Sequence, residues 1–155
     1  MAIHVLFVCL GNICRSPMAE AVFQQLVDEA GLHDKITADS AGTGAWHVGE
    51  HAHVGTRQVL MQHDIPYNGR ARQVSSVDIN RANSYLIAMD EENVAELEGR
   101  YGRLSNLSRL LDYATETAEH NVPDPYYTGK FETVYQLVSD GCRGLLATIR
   151  VEHGL

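Results

Sequence analysis

Two cysteines and an arginine share one short stretch, Cys9-Leu-Gly-Asn-Ile-Cys14-Arg15-Ser16-Pro17, with five residues between Cys9 and Arg15. A loop that enters a helix aims unpaired backbone N–H groups inward, and the helix dipole adds partial positive charge. Wrapped around a tetrahedral oxyanion, Leu10, Gly11, Asn12, Ile13 and Cys14 would supply N–H donors from below and the sides. Gly11 and Asn12 are residue types that tolerate the left-handed backbone such a nest requires. Cys9 would sit at the bottom with its sulfur facing the central atom, and Arg15 would return to fork two oxygens. The field that traps the anion also favours thiolate over thiol, so Cys9 reads as a nucleophile. The Ser16 hydroxyl is placed to donate to that sulfur. No Gly-Lys-Ser/Thr follows, so nucleotide binding is not supported.

A thiolate that attacks a phosphate ester expels an alkoxide or phenoxide, which needs a proton. The loop holds no carboxylic acid, so the acid must come from a distant segment. Asp124, in Pro123-Asp-Pro-Tyr-Tyr-Thr-Gly129, is the candidate. Prolines stiffen its loop on both sides, and Tyr126 and Tyr127 follow, suited to covering an aromatic substrate.

The elements that must position these groups are legible in the hydrophobic pattern. Ile3 to Cys9 is a continuous apolar, β-branched run, as in a strand covered on both faces. Ser16 fits a helix N-cap and Pro17 the first helical position. Ala19, Val22, Phe23, Leu26 and Ala30 share one face, and Gly31 ends the helix. Strands are expected at Ile36 to Ala41, Tyr85 to Met89 and Leu107 to Leu111. Helices are expected at Val54 to His63, from after Asp90 through Glu98, and from Phe131 to Val151. The segment from Val122 to Gly129 reads as a loop. Strands alternating with helices predict one α/β domain over residues 1–155, a parallel sheet with helices on both faces. Ligands of such sheets lie beyond the carboxyl ends of the strands. Cys9, Ser40 and Asp90 each close a predicted strand, so all three should crowd one edge.

Bulk properties narrow the chemistry. The 155 residues suffice for one core, and 45% hydrophobic with 21% charged residues is ordinary for a soluble globule. Three unevenly spaced cysteines do not make a disulfide framework, and with no secretory leader they predict a cytoplasmic protein. A formal charge of -8 argues against nucleic acid or an anionic membrane as the main partner. Any anion must be bound by local geometry against the global field. His47, His51 and His53 cluster, but no carboxylate joins them in a ligand pattern, so no metal site and no cofactor is expected. His4 reads as an edge or packing residue of the first strand.

On these residues the chain resembles the low-molecular-weight protein tyrosine phosphatases. The resemblance is carried by VCLGNICRSPMAE near the start, DSAGTGAWHVG from Asp39 to Gly49, ARQV from Ala71 to Val74, IAMD from Ile87 to Asp90, and DPYY from Asp124 to Tyr127. It implies a four-stranded parallel sheet flanked by helices on both faces in a flavodoxin-like three-layer arrangement, and metal-free hydrolysis of phosphotyrosine and small aryl phosphates through a cysteinyl-phosphate. Cys9 matches the family's nucleophile, Arg15 its transition-state clamp and Asp124 its general acid. Asn12, Ser16 and Ser40 match the hydrogen-bond network that shapes the loop, and Asp90 a carboxylate that steadies the arginine. Trp46, Tyr126 and Tyr127 match the walls of the substrate cleft. Cys14 matches a second cysteine able to form a reversible disulfide with the nucleophile. Partners implied are phosphotyrosine proteins and a cognate tyrosine kinase, and a small acidic globule is expected to be a monomer. One departure stands out: many members carry a histidine shortly before the ARQ stretch that reaches the loop asparagine, and here Gly69 and its neighbours stand there.

Three competing readings are distinguishable. A thioredoxin-coupled arsenate reductase needs two further relay cysteines, and only Cys142 remains. In a bacterial protein-arginine phosphatase a threonine matches Ile13 and the paired tyrosines are absent. A non-enzymatic anion-binding module would not need nucleophile, clamp and acid together.

Overall fold

The computed structural model describes residues 2–155. The first strand, β1 (Ile3–Cys9), lies inside a four-stranded sheet with β2 (Ile36–Gly42) on one side and β3 (Ser84–Ala88) on the other. The short β4 (Leu107–Arg109) pairs beyond β3, giving the order β2-β1-β3-β4, every pairing parallel. Parallel pairing demands crossovers, supplied by α1 (Arg15–Glu29), α2 (Val54–Gln62), the single turn α3 (Ser76–Ile79) and α4 (Glu91–Tyr101). A short turn, α5 (Pro125–Thr128), precedes the closing helix α6 (Phe131–His153).

The strand period of two sorts β1 between two cores. Ile3, Val5, Phe7 and Cys9 join Met18, Phe23, Val138, Leu145 and Ile149 of α1 and α6 on one face, with Leu60 of α2. Leu6 and Val8 join Leu86 and Leu97 on the other, against Ile79 and Tyr101. Phe7 meets Phe23 edge to face at 5.5 Å. The expected three layers are present, with α1, α2 and α6 against one face and α4 against the other.

Several local expectations change. The first helix begins at Arg15, with Cys14 at the N-cap and no side-chain cap bond, so Ser16 is not the cap and Pro17 is the third helical residue. The Ser16 hydroxyl points to Cys9 and Asn12 instead, which removes it from capping. Strand β2 runs past Ser40 to Gly42. The last strand stops at Arg109, and Leu110–Tyr113 tightens into a 3-10 turn packed under α6. His4 lies in an interior strand, not at an edge, and its Nδ1 meets Thr37 Oγ1 at 2.6 Å. Asp90 caps α4 by accepting from the Asn93 amide, and that helix continues to Gly102, whose φ of 80° ends it.

Two features of α6 matter for the site. A Cβ at Gly144 would lie 1.7 Å from the Tyr113 carbonyl oxygen, so only glycine lets the helix sit this close to the 3-10 turn. One helical turn earlier, the Asp140 carboxylate accepts from the amides of Thr115, Glu116 and Thr117. Burial alone would raise its pKa, but these three N–H donors outweigh that and hold it below the usual carboxylate range. That ties down the start of the long segment leading to Asp124.

Candidate active site

The loop after β1 is held from outside by its carbonyls. Thr43 and Gly44 amides donate to the Cys9 and Leu10 oxygens at 2.9 Å, the His53 amide to Ile13 O at 2.7 Å, and the Thr56 hydroxyl to Cys14 O at 3.1 Å. With the carbonyls facing outward, the N–H groups of Gly11 to Cys14 have no protein acceptor among the described residues. Asn12 takes φ of 59°, the left-handed conformation expected at the centre of a nest. Gly42 is required here: a Cβ would meet Leu10 O at 2.8 Å and the Asn12 amide nitrogen at 3.2 Å.

Asn12 also orders the loop. Its Oδ1 accepts from the Arg72 amide at 2.9 Å, which fixes the amide so that Nδ2 donates to Ser16 Oγ at 2.8 Å and Ser40 Oγ at 3.0 Å. The ARQV stretch is thus a brace: Arg72 O accepts from Gly42 N, and Val74 N donates to Gly42 O, both at 2.8 Å. Ser16 Oγ lies 3.0 Å from Cys9 Sγ. Because Ser16 already accepts from Asn12, its own proton is free to point at sulfur.

Arg15 is almost wholly buried. Its Nη1 donates to Asp90 Oδ2 and, at 2.9 Å, to the Val122 carbonyl, while Nη2 lies 3.6 Å from Asp124 Oδ2. Burial works against the guanidinium charge, but Cys9, Asp90 and Asp124 around it outweigh burial and raise its pKa. Asp124 is the N-cap of α5, its Oδ1 accepting from the Tyr126 amide at 3.0 Å, so its other oxygen remains directed towards Arg15. Cys14, by contrast, is pushed up to about 12 by burial and by Asp124 and Cys9, so it stays a thiol at neutral pH.

A cleft of about 270 Å³ opens over this loop, lined by Cys9, Gly11, Ile13, Arg15, Asp124 and the rings of Trp46, His47, Tyr126 and Tyr127. Trp46 and Tyr127 are about three-quarters exposed, which makes them walls of the opening. The sequence-predicted residues therefore converge, Ser40 and Asp90 included. Cys142 does not join them; it is fully buried, with its thiol aimed at the Ala19 carbonyl. His47 pairs with Glu50 and His53 caps α2, while His51 bridges to Arg70, and no metal-ligating group of three occurs among the described residues.

Sequence reasoning missed several contributors. The Val122 carbonyl on Arg15 carries no side-chain signal at all. Thr56, on α2, gave none either. Glu20 is different: it lies four residues after Ser16, on the same helix face, and its Oε1 accepts from Ser40 Oγ at 2.6 Å. That i, i+4 spacing was readable.

A parallel sheet that ends in a cysteine–arginine anion loop, with an aspartate brought to the arginine from the far end of the chain, defines a thiol-based phosphate-ester site. A family model described as low molecular weight phosphotyrosine protein phosphatase matches residues 4–154. The chain belongs to that family. Among its relatives, the low molecular weight protein-tyrosine-phosphatase YfkJ of Bacillus subtilis is 52% identical over 156 residues, covering 99% of both chains. The YfkJ crystal structure superposes with a TM-score of 0.95, covering 99% of this chain and 98% of that one. PtpA of Staphylococcus epidermidis is 44% identical over 145 residues, 93% of this chain and 92% of its own. The crystal structure of DARP, named Drosophila arginine phosphatase, is 32% identical with a TM-score of 0.85, covering 94% and 97%.

Proposed function

We propose that this protein hydrolyses phosphotyrosine in protein substrates, and small aryl phosphates, through a cysteinyl-phosphate intermediate. The observation that carries the reading is the Cys9 sulfur at the floor of a ring of unpaired amides, with Arg15 and Asp124 at its mouth. The Cys9 thiolate attacks phosphorus in line, and the bond to the phenol oxygen breaks as Asp124, in its acid form, gives that oxygen a proton. Asp124, now a carboxylate, takes a proton from water, whose oxygen attacks phosphorus. The sulfur–phosphorus bond breaks, the thiolate returns and phosphate leaves. Arg15 and the amides hold the three equatorial oxygens throughout. Trp46, Tyr126 and Tyr127 cover the phenyl ring, and these aromatic walls favour an aryl ester over a serine phosphate.

The test is a panel of phosphotyrosine, phosphoserine and phosphoarginine peptides with wild type and Cys9→Ser. Hydrolysis of the first alone, abolished by Cys9→Ser while phosphate still binds, supports the reading. Rapid quench and mass spectrometry should trap a phosphate adduct on Cys9. The name of the Drosophila relative favours phosphoarginine as a second substrate to examine. Against it stand Ile13, an apolar side chain lining the cleft, and the paired tyrosines, so the phosphoarginine peptide should be turned over poorly.

A further inference from the structure

The ring of Tyr67 folds across Gly69 so closely that a Cβ at Gly69 would lie 2.3 Å from its hydroxyl oxygen. From there Tyr67 Oη donates to Glu20 Oε1 at 3.1 Å, the same oxygen that accepts from Ser40 Oγ at 2.6 Å. Ser40 is tied to Asn12, Asn12 to Ser16 and Ser16 to Cys9. The pleat explains the geometry: Ser40 pairs with Phe7 in register and turns to the α1 face, where Glu20 lies.

This chain of bonds has a direction. Arg72 N–H occupies Asn12 Oδ1, so the Asn12 amide can only donate to Ser40 and Ser16. Ser40, having accepted from Asn12, must send its own proton elsewhere, and the Glu20 carboxylate is the acceptor that receives it. Ser16, having accepted, is left to donate to sulfur. A protonated Glu20 would offer Ser40 an O–H in place of a lone pair, reversing that one bond and loosening the hold of Ser40 on Asn12 Nδ2.

We propose that Tyr67 and Glu20 form a positioning pair that orients the Asn12–Ser16 donors toward the Cys9 thiolate, with Tyr67, reaching over Gly69, completing the network from the protein's own loop. This rests on the reading of Cys9 as the nucleophile. Neither residue touches substrate. Burial raises the Glu20 pKa, and its surroundings are Ser40 and Tyr67 as donors, Asp39 as a like charge and Arg72 as a cation. Tyr67 itself is held far above the ordinary phenol range, so it stays a donor. Removing its hydroxyl takes away a bond that stabilises the Glu20 carboxylate, and a neutral Glu20 then persists to higher pH.

The experiment compares wild type with Tyr67→Phe, Glu20→Gln and Gly69→Ala, the last displacing the ring without altering a network residue. It measures kcat and KM for para-nitrophenyl phosphate over pH, inhibition by inorganic phosphate, and Tm. Tyr67→Phe should lower kcat by about threefold to tenfold, with KM and phosphate inhibition changed less than about twofold. Its acidic arm of the kcat profile should move to higher pH, Gly69→Ala should do the same, and Glu20→Gln should lower kcat without that shift. Unchanged kcat in both Tyr67→Phe and Gly69→Ala would overturn the proposal. So would a loss of kcat matched by equal losses in phosphate affinity and Tm, which marks simple loosening. A wild type inactive on every phosphomonoester would overturn the phosphatase reading and this one with it, whereas an active wild type with indifferent variants sinks this one alone.

Discussion

Asp90 does two jobs with two oxygens, and they separate cleanly. Oδ1 accepts from the Asn93 amide as the N-cap of α4, and Oδ2 takes Arg15. Asparagine keeps the cap but takes a charge partner from the buried Arg15, so Asp90→Asn should lower Tm as well as kcat/KM, the latter about tenfold or more. Asp90→Ala should lose both, with a further loss of about 1 kcal/mol in stability by chemical denaturation. The cysteines separate in a similar way. Burial keeps Cys14 a thiol up to about pH 12, and Cys142 is buried completely. Limiting iodoacetate at neutral pH should therefore label Cys9 alone, located by fragment-ion mass spectrometry because Cys9 and Cys14 share one tryptic peptide, and Cys9→Ser protein should take up almost none. Cys9, Arg15 and Asp124 are visible as residue types at a spacing, because the proposed anion and its leaving group would dictate them. Tyr67 is not, since nothing in its neighbourhood announces which carboxylate it meets.

At the scale of elements, the long segment from the 3-10 turn to α5 carries Asp124, and Asp140 anchors its start with three amides. Asp140→Ala should cost about 1–3 kcal/mol at neutral pH. Its carboxyl titrates below the unfolded value in the folded protein, so this stabilisation is present above about pH 4 and lost as pH falls through the folded pKa. Urea denaturation of wild type and variant should accordingly converge in acid. Gly144→Ala tests the same region by sterics: the methyl would run into the Tyr113 backbone, and Tm should drop by several degrees. Strands and long helices were legible from periodicity, since their apolar faces are what the sheet buries. The ends were less so. Ser16 looks like a cap by type, but its hydroxyl serves the sulfur, and Leu110 and Leu111 extend a strand pattern although α6 packs them as a 3-10 turn. The turn α3 buries no residue fully and packs only Ile79 on the core, too short an apolar pattern to read.

For the molecule as a whole, a charge of -8 surrounds a site built for a dianion. The net field opposes approach, and only the loop amides and Arg15 reverse it at short range. Raising sodium chloride from about 10 mM to 150 mM shortens the screening length from about 30 Å to 8 Å. kcat/KM for phosphotyrosine should then rise, whereas a peptide with lysines beside the phosphotyrosine should show the opposite trend. The nest that makes capture possible is finished in advance: carbonyls turned out, Asn12 locked left-handed, Arg15 wedged between Asp90 and Val122. A receptacle completed before anything enters it also offers its donors to the oxygens of the product. Free phosphate is therefore expected to compete for the nest, and turnover of the ester should slow as the surrounding phosphate pool grows.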